Sequence, residues 1–177
     1  ENFGFSGLDN VIYPGTNGKM NELSAAMGLT GLDSIDKFLE INFCNYIAYQ
    51  DGLKNIKGLK LIEYDSNEKC NYQYIVVEVD EDYPLSRDQI IQVMQAENIL
   101  ARKYFWPGCH NMEPYCSFYP HAGLMLPNTN ELAERVFVLP TGTAIAIEEN
   151  NIQFIVDLLS LLSGFELAVS VNSLLNT

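Results

Sequence analysis

From Asn21 onward, apolar residues recur at steps of three and four for about 30 residues, through Leu29, Leu32, Ile35, Leu39, Phe43, Tyr46, Ile47 and Leu53. That spacing predicts a long helix, of the kind that bridges parts of a larger body. Gly28 and Gly31 weaken it locally and predict a kink or break near them. Asn21 suits the N-cap, because its side-chain oxygen can accept from an N–H of the first turn. Glu22 complements the positive end of the helix dipole. Gly52, Lys54 and Lys57 suit the far end.

The rest of the chain changes period. Leu59 to Tyr64 reads as a short strand and 65–71 as a polar turn. Tyr72 to Val79 reads as a strand with Ile75, Val77 and Val79 on one face. Ser86 and Gln89 form a capping box ahead of a helix over 87–97, with Ile90, Ile91 and Met94 inward. A strand from Ile99 to Phe105 carries Arg102 and Lys103. Residues 106–130 form a long irregular segment rich in aromatics, Pro, Cys and His, and such loops are often functional. A helix over 130–137 runs to Leu139-Pro140, and a last helix spans 147–162. This order predicts an α/β (α+β) sandwich, a small sheet covered by helices. Residues 1–54 form a loop and linking helix, 55–163 a small α/β domain, and 164–177 a tail without assignment.

Composition narrows the partners. The chain has 177 residues, enough to bury a real core, and its hydrophobic content of 47% is that of a globular protein. Net charge is −13, from 23 acids against 10 bases. Nucleic acids and anionic membranes are bound chiefly through Lys and Arg, so neither is an expected partner. No apolar run is long enough to span a membrane. Cys44, Cys70, Cys109 and Cys116 form no CxxC pair, and reduced thiols in a cytoplasm are the simplest reading.

Several residues carry candidate chemistry, each with an ordinary alternative. Asn17 lies between Gly15 and Gly18, where its amide can donate to a phosphate; a turn Asn also commonly bonds its own backbone. Lys19 can act as a flexible positive point charge on phosphate or substrate, or stand solvated. Arg102 can grip a carboxylate or phosphate with two parallel hydrogen bonds, or pair with a surface acid. His110, close to Tyr104, Phe105 and Trp106, can meet a sugar or base ring, or cap a backbone carbonyl. Cys109, His110, Cys116 and His121 suggest zinc, but adjacent Cys-His spacing is poor for one tetrahedral ion, and no metal is expected. Glu148-Glu149 reads as an acidic first helical turn rather than a catalytic pair.

Three motifs go further together. Gly15-Thr16-Asn17-Gly18-Lys19-Met20-Asn21-Glu22 precedes Ala25-Ala26-Met27-Gly28-Leu29. Arg102-Lys103-Tyr104-Phe105-Trp106-Pro107 precedes His110 and Pro114-Tyr115. Leu132 to Pro140 reads LAERVFVLP. In this order they resemble the signature of the DegT/DnrJ/EryC1/StrS family, fold-type I enzymes that use pyridoxal 5′-phosphate (PLP) and mostly transaminate keto-sugars on nucleotides.

The resemblance implies a long linking helix and the small C-terminal domain of such an aminotransferase. It implies Asn17 as the group that reaches the PLP phosphate of a neighbouring subunit. It implies substrate contacts from Lys19, Arg102, Tyr104 and His110, a homodimer or higher self-association, and nucleotide-sugar and amino-acid substrates, with glutamate as donor. The family's Schiff-base lysine lies upstream of the Gly-x-Asn turn, and no lysine here matches it. The expectation is therefore a C-terminal portion that contributes no catalytic residue of its own and is inactive alone. A sugar dehydratase of the same fold, or a non-catalytic binding or oligomerisation module, remains the alternative.

Overall fold

A computed structural model describes residues 18–145 and 150–164. Two compact units divide the chain between Lys37 and Phe38. The first contains α1 (Glu22–Asp33). Its N-cap is Asn21, as expected: the Asn21 side chain accepts from the Ser24 N–H at 2.8 Å. The expected long helix breaks at Ser34, whose N–H turns back to the Gly31 carbonyl at 3.2 Å. Two glycines in the preceding turns lower the cost of stopping there. No α1 residue is buried, and Leu23, Met27, Leu29 and Leu32 are all exposed.

The second unit holds the sheet. Here α2 (Ile35–Leu53) buries Asn45, Tyr46, Tyr49 and Leu53, a stripe at helical spacing. Gly52, expected as an end signal, lies inside the last turn and serves close approach. A Cβ there would stand 2.5 Å from Val156 Cγ2 of α7 (Asn151–Ser163). The strands are β1 (Leu59–Leu61), β2 (Ile75–Val79), β3 (Arg102–Lys103) and β4 (Val136–Leu139). They pair antiparallel in the order β1-β2-β4-β3.

On one face, Leu59, Leu61, Ile75, Val77, Val79, Phe137 and Leu139 join the core made by α2, α3 (Arg87–Ala96) and α7. The α3 capping box forms as expected, and Ile90, Ile91 and Met94 are buried. Along α7, Ile152, Ile155, Val156, Leu159 and Leu162 are buried at steps of three and four. Each large apolar side chain so buried stabilises the fold by ~1.5–3 kcal/mol. Two phenols tie the layers: Tyr83 donates to the Leu159 carbonyl at 2.7 Å and Tyr49 to that of Pro140 at 3.0 Å. Burial pushes both hydroxyls well above the ordinary tyrosine range.

Two expectations need correction. Residues 136–137 are not the end of a helix. The helix α6 spans Pro127–Arg135, and the next four residues form β4, fully buried between β2 and β3. A buried run without alternation has no strand period, so it reads equally well as the end of a helix. The strand expected over 99–105 shrinks to two residues at the sheet edge, and Phe105, at φ 45°, turns the chain away. The loop of 106–130 carries a turn of 3-10 helix (Cys109–Asn111) and the short helices α4 (Tyr115–Phe118) and α5 (Ala122–Met125). Among the described residues, no helix is long and apolar enough to cross a membrane.

Candidate functional site

The site is built on the free edge of the sheet. Successive strand residues point to opposite faces, so Arg102 and Lys103 part company. Arg102 stands opposite Val138 and Lys103 opposite Phe137. The Arg102 side chain is exposed and lines a cavity of about 380 Å³ with Gln73, Tyr74, Leu100, Val138 and Thr141. No ion pair or hydrogen bond holds its guanidinium among the described residues, so the expected alternative of a surface ion pair does not form.

Lys103 turns the other way. Its ammonium lies 2.8 Å from Asp88 Oδ2 and 4.2 Å from the centroid of the Trp106 ring. Asp88 also meets Arg87, a buried guanidinium that donates to the carbonyls of Ala133 at 2.7 Å and Val136 at 3.2 Å. The hydrogen bond from Lys103 is the largest influence on Asp88 and lowers its pKa; desolvation opposes it, and Arg87 lowers it further. The stability this contributes is present above the unfolded carboxylate value of about 3.9 and is lost as pH falls through the lower folded value. Asp88 is half exposed, so solvent screening keeps the effect below ~1 kcal/mol. Asp88→Asn should therefore flatten the acid limb of the stability-against-pH curve and leave the neutral slope unchanged. Urea titrations at a series of pH values check this, and an unchanged acid limb would contradict it.

Tyr104 packs edge-on against Tyr74, with ring centroids 5.4 Å apart, and against Phe105 at 4.7 Å. Together these rings extend the apolar wall beside Arg102. Sequence reasoning did not single out Tyr74, Gln73 or Thr141, which line the Arg102 cavity only because β4 pairs with β3 on one side and β2 on the other. One signal was available. Asn45 lies within the apolar stripe of α2, and a polar residue there needs a partner. It is buried, and its amide donates to Thr141 Oγ1 at 3.3 Å and to the Gly142 carbonyl at 3.1 Å. Asn45 thereby holds the loop that carries Thr141.

His110 occupies a different place. It lines a cavity of about 250 Å³ with Cys109, Tyr115, Tyr119 and Ala122, none of which lines the Arg102 cavity. Its Nε2 lies 2.6 Å from Asn130 Oδ1, so it meets a side chain rather than a backbone carbonyl. Asn130 also donates to the Gly123 carbonyl at 2.8 Å and accepts from Asn111 at 3.2 Å, which makes it the hub of the loop. Gly108, at φ 92°, is required here, since a Cβ would stand 2.8 Å from the imidazole. No group of three His, Cys, Asp or Glu side chains able to hold a metal occurs among the described residues.

Of the remaining candidates, Asn17 and Glu148-Glu149 lie outside the described residues. Lys19 is exposed in the turn before α1. Tyr104 thus packs on Tyr74, which lines the Arg102 cavity, and His110 lines a second cavity.

Comparison with known proteins decides the family. The model of the DegT/DnrJ/EryC1/StrS aminotransferase family matches residues 2–159. The chain belongs to this family. It is 33% identical over 164 residues to the dTDP-4-amino-4,6-dideoxy-D-glucose transaminase of Escherichia coli, an alignment covering 93% of this chain and 43% of that protein. The transaminase of the same description from Shigella dysenteriae is 33% identical over 140 residues, 79% of this chain and 38% of that one. The crystal structure of DesI in the presence of its TDP-sugar product superimposes with a TM-score of 0.76 at 42% identity, over 90% of this chain and 40% of DesI. The chain thus spans less than half the length of the relatives it matches. Its mixed architecture with a small antiparallel sheet is that of these fold-type I sugar aminotransferases.

Proposed function

We propose that this chain is the C-terminal part of a cytoplasmic PLP-dependent transaminase that moves an amino group from an amino acid, glutamate by preference, to a keto-sugar carried on a nucleoside diphosphate. The observation that carries the reading is the 42% identity and shared fold with DesI, a protein that has a TDP-sugar product. An arginine without an ion-pair partner among the described residues, on a cavity wall beside edge-packed aromatics, is also suited to a diphosphate next to rings.

The residues fit one portion of the implied cofactor. Its phosphate needs donors, and Lys19 supplies a cation beside Gly18, where an added Cβ would meet nothing within 4 Å and an anion has room to approach. By the family resemblance, Asn17 adds a neutral amide donor for the cofactor phosphate of a partner subunit. When bound, PLP supplies the electron sink that an amino-group transfer requires. In this reading Arg102 binds the substrate anion and Tyr104 flanks the sugar nucleotide, while His110 offers a contact from its separate cavity. The linking segment 1–54 serves self-association into a homodimer, 55–163 carries the substrate wall, and 164–177 is a tail without assignment. Exposed Leu23, Met27, Leu29 and Leu32 favour that association.

The test uses the complete enzyme with PLP, L-glutamate and a dTDP-linked 4-keto-6-deoxyhexose. Mass spectrometry should find the aminated nucleotide-sugar together with 2-oxoglutarate. Asn17→Ala should weaken cofactor retention roughly ten- to a hundredfold, as loss of one hydrogen bond to a charged phosphate does. No aminated product would refute the reaction class, and unaltered retention would remove Asn17 from the phosphate.

A further inference from the structure

Five side chains close a ring around the segment that follows Arg102. Arg87 meets Asp88, and Asp88 holds Lys103 at 2.8 Å. Lys103 lies over Trp106 at 4.2 Å. The Trp106 indole N–H donates to Glu134 Oε1 at 2.8 Å, and Glu134 Oε2 returns to Arg87 at 3.3 Å. Arg87 is buried and is also anchored on two carbonyls at the junction of α6 and β4. The ring therefore joins α3, β3 with the turn after it, and α6.

Its placement gives it a consequence beyond stability. Lys103 and Trp106 are the first and last residues of a four-residue segment, and Tyr104 lies between them. A two-residue edge strand has little hydrogen bonding of its own to define the direction of its side chains. With Lys103 drawn to Asp88, alternation sends Arg102 to the other face, into its cavity. With Trp106 held by Glu134, the backbone between cannot swing, and Tyr104 stays against Tyr74.

We propose that Glu134 and Asp88, mounted on Arg87, are positioning residues that hold segment 103–106 so that Arg102 and Tyr104 form a fixed anion-binding wall. The proposal rests on the reading of Arg102 as the group that binds the nucleotide diphosphate. Pre-organisation of this kind strengthens binding because less freedom is lost when the ligand arrives.

Trp106 is the only tryptophan in the chain, so the ring carries its own reporter. The probe is thymidine 5′-diphosphate, with affinity read by calorimetry and order read by acrylamide quenching of Trp106. Arg102→Gln tests the underlying reading: it should abolish measurable binding while Trp106 quenching stays unchanged. Glu134→Ala should raise quenching and weaken binding about threefold to tenfold, the cost of immobilising a released side chain when the ligand arrives. Glu134→Gln keeps an acceptor for the indole and should restore both readouts most of the way. A purely structural role would lower the melting temperature in Glu134→Ala without moving the affinity at 25 °C. Increased quenching with unchanged affinity would thus overturn the positioning role and leave the Arg102 reading standing, and unchanged quenching would also overturn it. Absence of binding to the unmodified chain, or binding that survives Arg102→Gln, would overturn the Arg102 reading and the proposal with it.

Discussion

Gly58→Val should cost about 3–5 kcal/mol, the sum of a left-handed backbone strain and a steric overlap that cannot relax. Gly58 has φ +83°, a region closed to β-branched residues. A Cβ there would stand 2.3 Å from the Tyr83 backbone nitrogen and 2.6 Å from its Cα. Tyr83 has no room to retreat, because its ring is buried and its hydroxyl is bonded to the Leu159 carbonyl on α7. The Gly58 carbonyl is itself engaged, accepting from the Asp80 N–H at 2.9 Å. Domains of this size are stable by only ~5–15 kcal/mol, so the variant should lie near the threshold of unfolding. Urea denaturation of the Val and Ala variants measures this, with Ala showing the smaller loss. A loss below about 1 kcal/mol for Val would mean that the turn shifts freely, against the geometry.

Phe137→Ala should be of similar size, about 3–5 kcal/mol, because a large ring would leave a cavity in a fully buried position. Phe137 lies on β4, opposite Val77 on one side and Lys103 on the other. The loss should therefore spread to the site. β3 consists of two residues and pairs in the sheet with β4 alone, so a loosened β4 should loosen the backbone that carries Arg102. Denaturant titration gives the global loss, and hydrogen exchange at Arg102 and Lys103 gives the local one. A stability loss under about 1.5 kcal/mol, or protection at those two amides as strong as in the unmodified chain, would show that the neighbours refill the space.

These two positions differ in how far the chain alone reveals them. Gly58 is visible as a glycine after a helix end, but its need for a positive φ follows from Tyr83, which arrives from another part of the chain. Phe137 lies in a motif that was recognised, LAERVFVLP, yet its strand was read as helix. Leu132, Ala133, Val136 and Leu139 satisfy a helical step as readily as Val136 to Leu139 satisfy a buried strand. Only pairing with β2 and β3 separates the two. Among the site residues, Arg102 and Tyr104 were legible because their motif is contiguous. Tyr74 and Thr141 were not, since they reach the same wall from other strands and loops.

Local chemistry within a few residues was decided by the amino-acid sequence itself. The Asn21 cap, the Ser86–Gln89 box and the apolar stripes of α2, α3 and α7 depend on groups a turn or two apart, and they form where the residue types require. The ordered motifs likewise carry family membership, because they are strings. Tertiary structure alone decided that β4 inserts between β2 and β3, that Asn45 holds the loop of Thr141, and that Arg87 closes a ring with Glu134. Those contacts join groups 34 to 97 residues apart, from Lys103 opposite Phe137 to Asn45 with the Gly142 carbonyl. No local propensity encodes such a pair. It forms because burying the apolar faces of the sheet and helices together leaves these polar groups only one another as partners.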